Sequence, residues 1–563
     1  MVTGHGRCAN PGGRPPGPPG GLRSRAGLAL LCAGLPGIEA VVLIAAGLRG
    51  SVPLAPGITA PAPYGVYHDL RFLLTYHSSW AMFTAEAVAM LAWRSALDCG
   101  LILLAWPAGQ RRPGAGAIWR RTAPFTLLSA VLLAPSAASV SAMDVMPVSD
   151  FFLAAMPLAV IIAVLTSHGG VAPWWRRLPP RRAVVWSLGT FAGITAGGAV
   201  AAAVPAWAAA LAVMLTGLLH ARSYADIVRA CATQRASVAI PLAPIGVAAM
   251  AGLLVAGITY GVRLSDTGAS VPYQVSADAG RGPTVLLVSG FHSSWNGSLP
   301  QPMGPGLPVE RFSYRGLDAG GSPLSYHAQA TQQPLETTVR LLARQVEVIA
   351  GRTGRRVPVV ADSEGSLAVE TYLATVPAAP VGKIVLLDPL IDPGRGYFPP
   401  ANDEGWGVAT GALLRGLSAA IGAATPLRIY ADGPFIRSVD DHGPVLRGLL
   451  TCPPPGVREA VLVSLADAVA SPFSARLAAP SVVVPRLHGF LLNDAGATHA
   501  IAEFLQTGRL PVNARGSAAD QLVRAAAAAW QAPPLTPSLV PRWRGEPVSG
   551  CAAKRKALTE WLR

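Results

Sequence analysis

VPVVADSEGSLAVETYLATV, residues 357 to 376, decides the fold of half this chain. It opens as a short apolar run, turns sharply around Ser363, and continues with the apolar spacing of a helix. The residues two before and two after the serine are Ala361 and Gly365. A tight strand-to-helix turn demands small side chains there, because it brings the flanking backbone close to the serine. The positive end of the following helix also favours negative charge developing beside Ser363. The small-x-Ser-x-Gly pattern alone is common in a chain with 60 glycines; its place between a strand and a helix makes it informative.

Working outward, PTVLLVSGF (283 to 291) reads as a buried strand ending in a glycine turn, and TTVRLLARQVEVIAGRTG (337 to 354) as an amphipathic helix stopped by glycine. Strand-like runs alternating with helical ones predict a mostly parallel sheet. Downstream, EAVLVSLADAVASPFSARL (459 to 477) carries Asp467 after a strand, and SVVVPRLHGFLLNDAGATHAIAEFL (481 to 505) carries His488 between a strand and a helix.

In these elements the chain resembles the α/β-hydrolase superfamily, over roughly residues 275 to 510. The resemblance implies a nucleophile, acid, histidine order, hence Ser363, Asp467 and His488 as catalytic residues. It also implies an oxyanion hole from the backbone N–H groups of Phe291 and Glu364. Ala361 stands where the family usually has its first glycine, and Ser289-Gly290 where it often has His-Gly. Asp388 (in KIVLLDPL) and Asp432 (in LRIYADGP) are the alternative acids, and His499 the alternative histidine. His292, Tyr314 and Arg315 are candidate substrate-binding residues near the cleft. The stretch from about 390 to 458 falls where the family carries its lid. No cofactor is implied.

Before residue 262 the texture is different. Apolar stretches long enough to cross a bilayer lie near 26 to 48, 79 to 106, 124 to 142, 150 to 167, 184 to 203, 207 to 221 and 240 to 262. Arginines gather in alternate loops: Arg7, Arg14, Arg23 and Arg25; Arg111, Arg112, Arg120 and Arg121; Arg176, Arg177, Arg181 and Arg182; Arg222, Arg229 and Arg235. The intervening short loops carry only Arg49 and Arg71. That alternation predicts seven spans with a cytoplasmic N-terminus and an extracytoplasmic C-terminal half, in a multi-pass plasma membrane protein. Within the spans Glu39, Glu86, Arg94 and Asp98 form a candidate charge network, with Arg94 and Asp98 an i, i+4 pair. His68, Asp69 and His77 are expected near the outer face as interfacial anchors.

The organisation expected is therefore a basic tail (1–25), an all-α transmembrane bundle (26–262), an α/β-hydrolase domain (275–510) and a C-terminal tail with one short helix (511–563). Of the 563 residues 51% are hydrophobic and 13% charged, a composition that excludes an ordinary soluble enzyme and a largely disordered chain. The net charge of +15 follows the loops, so nucleic-acid binding is not expected. Six cysteines with no CxxC spacing and no Cys/His cluster argue against a metal site; Cys452 and Cys551 form a candidate disulfide. The function expected is a membrane-anchored serine hydrolase acting through an acyl-enzyme on an ester or thioester of a lipid or cell-envelope component, its partner the lipid bilayer. Acyl transfer is the variant within that chemistry. The alternative is a transporter or scaffold whose hydrolase-like domain only binds. Oligomeric state is not readable.

Overall fold

The strand-like runs from 283 onward assemble into one sheet. The computed structural model describes residues 21–141, 159–167, 169–172, 178–233, 283–298, 307–391, 393, 396–424, 428, 430–464, 479–484, 486, 488–511, 525–533, 535, 539–546 and 549–563. Its strands are β1 (Val285–Val288), β2 (Val309–Arg311), β3 (Val357–Asp362), β4 (Val381–Leu387), β5 (Arg458–Ser464) and β6 (Ser481–Val484), in the order β2-β1-β3-β4-β5-β6, with every pair parallel. Side chains of β3 alternate between two apolar layers. Val359 and Ala361 belong to one core layer with Leu342, Val346, Leu367 and Leu558; Val360 belongs to the other with Ile501, Phe504 and Leu505. Both faces are covered, which is why these strands read as continuous apolar runs. The chain runs outward from β1 to β2, then returns to β3 and continues the other way. The crevice between β1 and β3 is thus the topological switch point, where parallel sheets place their sites.

The N-terminal half is helical: α1 (Gly21–Ala45), α2 (Tyr64–Thr75), α3 (Trp80–Ala105), α4 (Ala115–Ser141), α5 (Arg181–Ala203) and α6 (Ala206–Thr233). Five of them, all but α2, are long and apolar enough to cross a membrane. Pro205 splits the apolar run 184 to 221 into the α5–α6 hairpin, because it has no N–H to continue the helix. Of the expected fourth span, residues 159–166 are helical; the seventh, 240 to 262, lies outside the described residues, as does most of the N-terminal tail. Exposed Leu30, Val88, Val131, Val185 and Leu215 coat the bundle, and exposed Trp80 and Trp207 stand at one end with Trp119 at the other. An apolar coat with tryptophans toward the helix ends is compatible with a bilayer.

Residues 49 to 78, expected as an outer loop with anchors, fold into the bundle instead. Arg49–Thr59 forms a 3-10 segment and α2 packs between it and α4, burying Val66, Tyr67, Leu70 and Leu74. Two short proline-punctuated elements reach back among the spans, a placement that hydropathy windows sized for spans do not reveal.

After β3 come α8 (Glu364–Thr375), and between β4 and β5 the helices α9 (Val408–Ala424) and α10 (Pro434–Asp441). Helix α7 (Leu335–Thr353) precedes β3; α11 (Ala495–Thr507) and α12 (Cys551–Leu562) complete the domain. Cys452 and Cys551 are joined, with 5.5 Å between their Cα atoms, tying α12 to the β4–β5 insertion. The insertion docks on the bundle: Trp406 Nε1 donates to Thr75 O (3.0 Å), Thr410 Oγ1 to Leu74 O (2.6 Å), and Ala409 N to His77 Nε2 (2.9 Å).

Candidate active site

Ser363 closes β3 at φ +50° and ψ −114°, a strained conformation for a residue with a Cβ. The surroundings hold it there. Ser363 N donates to Leu387 O of β4 (2.8 Å), and Ser366 Oγ ties back to Ala361 O (2.8 Å). Gly365 has no room for a side chain: a Cβ would lie 2.8 Å from both Val288 Cγ1 and Val288 O. Gly290 presses on the serine from the β1 turn, where a Cβ would come within 2.9 Å of Ser363 Cβ. The small residues at 290, 361 and 365 let β1, β3 and α8 converge on one hydroxyl.

His488 reaches that hydroxyl from the turn after β6, with Nε2 2.9 Å from Ser363 Oγ. Both side chains are buried. The distance is that of a base poised to take the serine proton. Asp388 ends β4 at φ +45° and is fully buried. Its Oδ2 lies 4.0 Å from His488 Nδ1. Asp388 Oδ1 accepts from Ser464 N (2.5 Å), while Oδ2 accepts from Ser464 Oγ (2.8 Å) and Gly489 N (3.1 Å). One carboxylate thus fastens the ends of β4 and β5 to the histidine turn. Asp467, the acid expected from sequence, lies outside the described residues.

Glu364 follows the serine at the first position of α8, where the helix leaves its N–H groups without intrahelical partners. Its carboxyl is buried, neither oxygen has a hydrogen-bond partner among the described residues, and burial holds it well above the usual carboxylate range. Phe291 stands at the β1 turn, its ring 5.5 Å from that of Phe435 on α10, so the insertion reaches over this turn.

The remaining sequence candidates are placed as follows. His292 takes φ +63° and its N–H donates to Thr331 Oγ1 (2.8 Å). Tyr314 is buried, its hydroxyl donating to Ser289 O (2.6 Å), so it braces the turn after β1. Arg315 Nη1 donates to Ser325 O (3.1 Å) at the surface. Asp432 is held by Arg415 (2.5 Å), and His499 is an exposed residue of α11 beside Glu503. Among the described residues no group of three or more His, Cys, Asp or Glu side chains could hold a metal ion.

The charge network in the bundle differs from the one expected. Arg94 pairs not with Asp98 but with Asp69 of α2, through Nε (2.7 Å) and Nη2 (2.6 Å). Asp98 accepts from Tyr224 OH (2.8 Å), and Glu39 meets His68 (3.0 Å). Glu86 makes no ion pair with any described residue. The i, i+4 spacing put Arg94 and Asp98 on one face, but α2, entering between the spans, offered Arg94 a two-point partner.

No protein-family model and no curated protein matches the chain. Among solved structures, it is similar to a putative aryl esterase from Burkholderia cenocepacia, with 16% identity over 40% of this chain and 90% of that one and a TM-score of 0.24. It is similar also to a lipase-esterase related protein from Clostridium acetobutylicum, with 12% identity, 40% and 95% coverage and a TM-score of 0.23.

Proposed function

We propose that the chain is a membrane-embedded serine hydrolase that cleaves a carboxylic ester or thioester through an acyl-enzyme. The observation that carries this is the 2.9 Å approach of His488 Nε2 to a serine held at positive φ on a strand-to-helix turn. In the first step Ser363 Oγ attacks the acyl carbon and its proton passes to His488 Nε2. The carbonyl oxygen becomes an oxyanion facing the N–H groups of Phe291 and Glu364. When the bond to the leaving alcohol or thiol breaks, His488 returns the proton to it. Water, or an acceptor hydroxyl if the enzyme transfers its acyl group, then repeats the sequence on the acyl-enzyme. Asp388 supplies a fixed negative charge beside the imidazole, and Asp467, three residues beyond β5, is the candidate for a direct bond to Nδ1.

The site faces outward in this proposal. The insertion docks where α2 meets α3, the end opposite the loops bearing Arg111, Arg112, Arg181 and Arg182. A Cys452–Cys551 disulfide fits an oxidising, extracytoplasmic compartment, whereas Cys32, Cys99 and Cys231 of the bundle are free. A substrate in the outer leaflet or envelope follows from that location. The test is labelling of intact cells and of opened membranes with a membrane-impermeant fluorophosphonate. Labelling of intact cells that Ser363→Ala abolishes is the expected result. Labelling only after the membrane is opened would reverse the orientation, and none in either preparation of folded protein would end the enzyme proposal.

A further inference from the structure

His68 of α2 is buried in the bundle with a carboxylate on each ring nitrogen. Nδ1 lies 2.9 Å from Asp69 Oδ1 and Nε2 lies 3.0 Å from Glu39 Oε1 of α1. The proton inventory of such a unit is constrained. A neutral imidazole has one donor and one acceptor nitrogen, and an ionised carboxylate only accepts. Asp69 is held as an anion by the two-point contact with Arg94, whose Nη1 is further fixed on Ile58 O (2.7 Å). Asp69 therefore takes the Nδ1 proton. The 3.0 Å contact between Nε2 and Glu39 then needs one more proton, carried either by the imidazole or by the carboxyl. Without it two lone pairs face each other in a site withdrawn from water, and α1 and α2 must part.

The charged groups around His68 come from three helices: Glu39 from α1, Asp69 and Arg71 from α2, and Arg94 from α3. The 3-10 segment contributes the Gly57 backbone, which lies so close that a Cβ there would come within 2.8 Å of the His68 ring. We propose that Glu39 and His68 form a proton-binding site within the membrane module, holding one exchangeable proton between α1 and α2. The proposal does not rest on the hydrolase chemistry. It bears on the domain all the same, because α2 also carries the carbonyls of Leu74 and Thr75 on which the β4–β5 insertion stands.

The test uses the full-length protein in mixed micelles, unfolded with SDS across a series of pH values. A free imidazole releases its proton near pH 6.5, whereas the folded site keeps one, so above that pH the unfolded state binds fewer protons and stability falls. Glu39→Gln supplies an amide that donates to an unprotonated Nε2, satisfying the same contact without the proton. The wild-type unfolding constant is expected to rise with pH about tenfold per unit more steeply than that of Glu39→Gln, until the folded site also titrates. His68→Gln, an independent variant should Glu39→Gln fold poorly, is expected to lose the same steepness. Proton release on unfolding, read with a dye in weak buffer above pH 6.5, is expected to be about one proton greater for wild type than for either variant. Equal steepness and equal release in wild type and a folded variant would overturn the proposal and leave Arg94 and Asp69 as the fixed charges of the cluster, with no proton held between His68 and Glu39.

Discussion

Asp388→Asn is the substitution that most directly probes the proposed chemistry. The carboxylate lies 4.0 Å from His488 Nδ1, and at an effective dielectric constant of about 20 a unit negative charge there stabilises the imidazolium by about 4 kcal/mol. Removing the charge leaves neutral His488 little affected but withdraws that stabilisation as the serine proton arrives, so acylation should slow by about a thousandfold. The amide keeps the shape but turns a donor toward Ser464 Oγ and Gly489 N, a stability cost of about 1–3 kcal/mol. The assay is the second-order rate of fluorophosphonate labelling of full-length protein in membranes, with folding checked by thermal melting. Asp467→Asn is measured in parallel. A folded Asp388→Asn that labels within about threefold of wild type would refute the electrostatic role and leave Asp388 a brace between strand ends.

Other consequences are testable more briefly. Gly365→Ala drives a Cβ to 2.8 Å from Val288 O, so we expect a loss of about 1–3 kcal/mol in melting experiments together with slower labelling. Replacing Cys452 and Cys551 by serine opens a loop spanning 99 residues, worth at most about 4.7 kcal/mol; earlier proteolysis of α12 is the expected sign. Burial raises the carboxyl of Glu459 on β5 to about 7, with Glu370 of α8, likewise raised by burial, as its neighbour. The folded state then holds protons that the unfolded chain releases near pH 4.3, and stability falls as pH rises from there toward the folded value. Glu459→Gln should therefore raise the melting temperature at pH 7.5 with little change at pH 4; an equal shift at both would contradict the titration.

Legibility differed between the halves for physical reasons. Ser363 and His488 were readable because a parallel sheet puts functional residues at strand ends, and strand ends are marked in sequence by apolar runs meeting glycine. Asp388 was harder to rank, since LLDP after β4 and LADA after β5 carry the same local signal; the contact of its carboxylate with Gly489 N of the histidine turn is a matter of packing that sequence does not show. In the N-terminal half, α1 and α3 to α6 followed from length and hydropathy. The partner of Arg94 did not, because it comes from α2, a twelve-residue helix whose modest hydropathy resembles that of a loop. The disulfide was visible only as a candidate pair, Cys452 and Cys551, the two cysteines of the C-terminal half.

Trp530 stacks on Phe191 of α5, its ring nitrogen donates to Thr195 Oγ1 (2.9 Å), and the carbonyls of Ala529 and Gln531 receive the buried Arg71 guanidinium (3.0 and 2.7 Å). The helices of the bundle are made first, yet Arg71 meets these acceptors only after some 460 further residues have been synthesised. Until then an arginine among the spans awaits its partners. Assembly of the N-terminal bundle is therefore closed by a segment that lies between α11 and α12, and in the proposed orientation that segment must first cross the bilayer. A chain interrupted after α11 would lack these acceptors and α12 as well, leaving Arg71 without its carbonyls and the elbow helix α8 without the helix that packs on it.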